Sequence, residues 1–189
     1  MVRQNDMKTE MKDWCDHQSF VQEKWRDTIQ WQNVCEISNL LIQYLNEKEI
    51  AAQISVANQP GLKSSAIQSI DLKKTIELGF IDESKGLFSD YKNSRLRPDY
   101  YKKIGGDSGI LIEVERGKTN QNNMDFLDFW KCHICKYAHY LFLLVPKELR
   151  QNQSGKIVGR PYQTVVSHME TLFYPENYTS VRGVVVIGY

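Results

Sequence analysis

Two glutamates, Glu113 and Glu115, close the apolar run Gly109-Ile110-Leu111-Ile112-Glu113-Val114-Glu115. Side chains alternate across a strand, so Ile110, Ile112 and Val114 share one face and Leu111, Glu113 and Glu115 the other. Carboxylates placed side by side repel, and each raises the pKa of its neighbour. A divalent cation between them removes that cost, and Mg²⁺ in particular takes one or two carboxylates together with water and phosphate oxygens. A third carboxylate, Asp99 in Arg97-Pro98-Asp99, precedes the run in a segment that a hairpin folds back against it. Pro98 has no amide hydrogen and suits a strand edge or bulge, where it can turn Asp99 towards Glu113. The expectation is that Asp99, Glu113 and Glu115 surround one point in space. A solvated hairpin with an acidic outer face would account for the paired glutamates alone. Pro-Asp ahead of them, with a helix and a buried strand behind, is the more specific pattern.

The elements that must position these residues follow from periodicity. Phe20, Trp25, Ile29, Ile37, Leu41, Tyr44 and Leu45 recur near helical spacing, which predicts one long helix or two short ones between Ser19 and Glu47. Ile50 to Val56 reads as a short strand or a helix tail. Asn58-Gln59-Pro60-Gly61 is a turn. Ser64 or Ser65 caps a helix carrying Ile67, Ile70, Leu72 and Ile76, which Gly79 ends. Strands are predicted at Gly86–Tyr91, Leu96–Ile104 and Gly109–Gly117, the last two joined by the loop Gly105-Gly106-Asp107-Ser108. A helix capped by Asn122 or Asn123 runs to about Ala138, Tyr140–Val145 is a buried strand stopped by Pro146, and Gln151–Gly159 is a polar loop. Pro161 opens a helix to about Phe173, and Val181–Ile187 is the last strand. The order implies an α/β fold, a central mixed β-sheet with helices on both faces, preceded by an N-terminal helical segment. The division expected is residues 1–58 for that segment, packed on the same domain, and 59–189 for the core that carries the carboxylates.

In these residues the chain resembles the PD-(D/E)xK nuclease superfamily, whose members have the restriction-endonuclease-like fold. Pro98-Asp99 matches the PD, and Glu113-Val114-Glu115 matches (D/E)xK with glutamate in place of lysine, an E-x-E variant. The element order from about Ser64 to Tyr189 adds to the match, and the first sixty residues have no counterpart in it. The resemblance implies a Mg²⁺-dependent endonuclease that hydrolyses DNA phosphodiester bonds, with one or two ions, most simply a type II restriction endonuclease. A repair, resolvase or transposon-encoded nuclease, or an inactive DNA-binding member, are the alternatives. Asp99 and Glu113, with the Val114 carbonyl, would hold the metal. Glu115 would orient or deprotonate the attacking water, or bind a second ion. Double-stranded DNA is the implied partner, and a homodimer would cut both strands.

Basic residues extend the pattern. Arg116 and Lys118 follow the glutamates across a Gly117 hinge, where they either contact DNA phosphate or form a solvated turn; Lys118 could also replace the missing family lysine. Lys131, on the helix after the site, is the second candidate for that lysine and for DNA contact. Asp125, Asp128, His133 and Lys136 beside it read as a mixed, solvated face, and Glu77 and His168 as surface or packing residues. Cys132-His133-Ile134-Cys135 lacks a second pair at zinc spacing and reads as two buried cysteines on one helix face. Net charge is +1 over 189 residues, with 41% hydrophobic and 25% charged residues, an ordinary globular composition without the strong basic excess of many DNA binders. No apolar run is long enough to span a bilayer. With no signal peptide read in the first residues, a cytoplasmic location with reduced cysteines is expected.

Overall fold

The computed structural model describes residues 13–62, 64–82, 86–91, 96–116, 123–151 and 153–189. In chain order the elements are β1 (Asp16–Val21), α1 (Ile29–Leu45), α2 (Lys48–Ala57), α3 (Ser65–Glu77), β2 (Ile81–Asp82), β3 (Tyr100–Gly105) and β4 (Ser108–Val114). They continue with α4 (Met124–Ile134), β5 (Tyr140–Val145), β6 (Leu149–Arg150), β7 (Ile157–Gly159), α5 (Pro161–Leu172) and β8 (Gly183–Gly188). Six strands form one mixed sheet in the order β1-β8-β5-β4-β3-β2, and β6 and β7 make a separate hairpin. β4, β5 and β8 are parallel to one another, and β1, β3 and β2 join the edges antiparallel.

Alternation along the strands builds a core on each face. Ile110, Ile112 and Val114 of β4, with Tyr140, Phe142 and Leu144 of β5 and Val185 and Ile187 of β8, pack against Val34, Leu41 and Leu45 of α1, Ile54 of α2 and Ile67 of α3. Leu111, Leu141, Leu143, Val184 and Val186 point the other way, against Phe129 and Cys132 of α4 and Val165 and Met169 of α5. All residues of β4, β5 and β8 are buried, as strands covered by helices on both faces must be. Among the described residues no helix is long and apolar enough to cross a membrane. The four cysteines are free thiols, and Cys132 and Cys135 are packed in the second core.

Several local expectations are revised. Asp16–Val21 is a strand paired antiparallel with β8, not the start of a helix, so Phe20 sits in the sheet. The segment is too short and too polar to show period-two alternation, and its conformation comes from the edge it completes. The helix begins at Ile29, where the Thr28 hydroxyl accepts from the Trp31 amide. Ile50 to Val56 is helix. Gly86–Tyr91 forms turns rather than a strand, with the Ser89 amide bonded to the Gly86 carbonyl; Leu87 and Phe88 are buried by tertiary packing without strand pairing. Residues 96–99 lead into β3 without pairing, as Pro98 dictates. Asn123 does not cap α4 through its side chain but takes a left-handed backbone, φ 54°, which asparagine tolerates. The loop after Gln151 is bounded by the β6–β7 hairpin.

Candidate active site

Three elements bring the site together. β3 and β4 are joined through Gly105 and Gly106, both with positive φ, so the chain reverses tightly. The ladder pairs Tyr100 with Ile112 and Tyr101 with Leu111, and continuing that register sets Asp99 opposite Glu113. Asp99 lies just before the paired segment. Its Oδ2 accepts a hydrogen bond from the Val114 amide at 2.7 Å, so its carboxylate occupies a position that a strand carbonyl would otherwise fill. The Gln68 side chain of α3 favours the charged form of Asp99, and α3 is held in turn by Tyr100, whose hydroxyl donates to the Gln68 carbonyl.

The third element is α4. Residues three apart share a helix face, and Asp125, Asp128 and Lys131 are all buried. Lys131 Nζ lies 2.5 Å from Glu113 Oε1 and 2.8 Å from Asp128 Oδ1, bridging strand and helix. Of the mixed, solvated face expected for this helix, Asp125, Asp128 and Lys131 form instead an inward-facing row, while Lys136 is exposed. Asp128 is the residue of the site that sequence reading placed on the surface. Its signal was present as the Asp-x-x-Lys spacing, but the same spacing marks exposed ion pairs on many helices. One turn further along, buried Asp125 accepts from His168 Nδ1 of α5 at 2.6 Å, tying the two helices.

The electrostatics follow from this crowding. Burial raises the pKa of Glu113, and Asp128 and Asp99 raise it further against the pull of Lys131. Glu115 is raised to about 7, first by burial and then by the Asp128 carboxylate. Burial also raises Asp99 and Asp128. Lys131 moves up despite its burial, because Glu113 and Asp128 flank it, so it remains an ammonium. Among the described residues, Asp99, Glu113, Glu115 and Asp128 are thus electrostatically coupled to Lys131.

That excess of negative charge, carried by hard oxygen donors, suits a divalent cation. Buried Glu113 Oε1 is served, among the described residues, by no hydrogen-bond donor besides the Lys131 ammonium. Among the described residues no group of three or more His, Cys, Asp or Glu is arranged to hold a metal ion, and Lys131 stands between Glu113 and Asp128. Carboxylate oxygens are the kind of donor that Mg²⁺ takes, and Lys131 is the positive charge already among them.

The comparisons bear on the fold. No family model and no curated protein matches the chain. Among solved structures it is similar to the restriction endonuclease BglII, determined in complex with a DNA 16-mer, with a TM-score of 0.50 and 9% sequence identity over 92% of this chain and 77% of the BglII chain. The chain has a restriction-endonuclease-like fold. On that fold Asp99, Glu113 and Glu115 lie in one electrostatically coupled group, with Lys131 and Asp128 added from α4. Val114 is the residue whose amide holds Asp99. Arg116 is half-buried at the exit of β4 and donates to the Gln59 carbonyl, and Lys118 lies outside the described residues. Glu77 is exposed and pairs with Lys74 at 3.5 Å, apart from this group.

Proposed function

We propose that the chain is a metal-dependent endonuclease that hydrolyses DNA phosphodiester bonds, of the restriction type. One observation carries the reading: Glu113 and Asp128 are buried against Lys131 at the carboxyl end of β4, with half-buried Asp99 and Glu115 coupled to them, on a fold shared with a restriction endonuclease. Burying that much like charge is costly unless cations or protons offset it. Asp99 and Glu113, with the Val114 carbonyl, would hold Mg²⁺, which when bound polarises the scissile phosphate and lowers the pKa of water. Asp99 is steadied for this by the Val114 amide and by Gln68.

Glu115, raised to about 7, would take the proton from the attacking water, with Asp128 to receive or orient that proton. Lys131 is the donor of the site. Its flanking carboxylates keep it charged, so it offsets charge on the phosphate oxygens and does not act as a base. Arg116 and Lys118, at the exit of β4, would contact the DNA backbone. A homodimer would place one such centre on each strand of a duplex.

Supercoiled plasmid incubated with the protein and Mg²⁺ tests this reading. Discrete linear fragments, abolished by a chelator, are expected. Intact plasmid under all metal conditions would overturn it.

A further inference from the structure

A cavity of about 490 Å³, whose lining holds none of the site carboxylates, includes Asn58, Lys147, Arg150, Arg160, Gln163 and Tyr189 in its wall. It lies past the last residues of β5 and β8, strands parallel to β4, on the edge of the sheet where Glu115 and Arg116 also emerge. In open α/β sheets the crevice outside the carboxyl ends of parallel strands is where ligands bind. Two contacts join its wall to that exit: the Tyr189 hydroxyl donates to the Glu115 carbonyl, and Arg116 donates to the carbonyl of Gln59, another lining residue.

The lining has a definite chemistry. Lys147 donates to the Trp14 carbonyl and sits 5.4 Å from the Trp14 ring centroid. Arg150 is paired with Glu148 at 2.7 Å. Arg160 is exposed and makes no ion pair among the described residues, and Gln163, one turn along α5, is exposed beside it. Asn58 Oδ1 is buried without a hydrogen-bond partner among the described residues. Asp16 adds a carboxylate to the same wall. Guanidinium and carboxamide groups are the side chains that hold phosphate and read base edges.

We propose that this cavity is the DNA-contact subsite next to the cleavage centre, with Arg160 holding a backbone phosphate and Gln163 reaching a base edge. The inference rests on the nuclease reading and adds the surface on which the substrate is gripped. Its chemistry divides the two roles: Arg160 supplies affinity that salt screens, and Gln163 supplies preference among sequences.

Fluorescence anisotropy with labelled duplexes, in Ca²⁺ so that binding is measured apart from cleavage, tests it. Arg160→Ala should lower the slope of log affinity against log salt by about 0.9, the value of one phosphate contact, with the thermal midpoint unchanged. Gln163→Ala should keep the slope and lose about tenfold in preference for duplexes selected by the wild type from a random pool. Lys103→Ala, at the opposite end of β4, should match the wild type. Unchanged slope in Arg160→Ala together with unchanged preference in Gln163→Ala would overturn the inference while leaving the nuclease reading intact. A wild-type protein that binds no duplex would overturn both.

Discussion

Two groups of buried acid lie on opposite faces of one sheet, and they differ in what surrounds them. On the α4 side, Glu113 and Asp128 meet a lysine within 2.8 Å, and Glu115 and Asp99 complete the group at a strand end. On the α3 side, Asp71 is fully buried among Tyr44, Tyr100 and Tyr189, and neither of its oxygens meets a hydrogen-bond donor among the described residues. Burial alone pushes its pKa up to about 7. The first group keeps charge in the interior because a cation holds it. The second has no such cation among the described residues, and burial makes it hold its proton up to about pH 7. A buried carboxylate is therefore evidence of chemistry here only where a cation and a route to the surface accompany it.

The comparison can be broken at its strongest point by removing the lysine. Lys131→Met leaves Glu113 and Asp128 buried without their counterion, which should cost about 3–5 kcal/mol of stability and stop cleavage. Adding Asp128→Asn should recover part of the stability and none of the activity. Denaturant unfolding read beside plasmid cleavage separates the two effects. Stability equal to the wild type in the single variant would mean that the ion pair is absent.

Asp71 sharpens the other side. Its pKa is about 7 in the fold and near the ordinary 3.8 once exposed. The native chain thus holds a proton that the unfolded chain releases, and this group's contribution falls as pH rises from about 4 to about 7. Asp71→Asn should match the wild type near pH 4 and be the more stable above pH 7. The ceiling is about 4 kcal/mol, at about 1.4 kcal/mol for each pKa unit. Unfolding midpoints across that range give the answer, and an offset independent of pH would mean that Asp71 has an ionic partner. A smaller effect is expected between these two cases, at Asp125. His168→Ala removes the group that holds it and should cost about 1–3 kcal/mol, visible as a lower thermal midpoint.

Much of this arrangement is legible in the sequence because strand alternation is a local property. Leu111, Glu113 and Glu115 share a face by spacing alone, and β5 and β8 are continuous apolar runs whose ends agree closely with the structure. Pro98 marks the interruption that places Asp99. What is not legible depends on tertiary contact. β1 is too short and polar to show its period and becomes a strand only by pairing with β8. Leu87 and Phe88 imitate strand residues because they are buried, yet they sit in turns. Asp128 and Lys131 read as a surface pair until α4 is laid against Glu113.

The cleavage rate of Glu113→Gln against Mg²⁺ concentration, measured beside the wild type on the same plasmid, tests the central claim most directly. The substitution keeps volume and removes one charged ligand, so the rate should fall by on the order of 10³-fold, with DNA binding in Ca²⁺ largely retained. Wild-type rates in Glu113→Gln, or wild-type cleavage that persists in chelator, would contradict the assignment of the buried carboxylates as a metal-dependent hydrolytic centre.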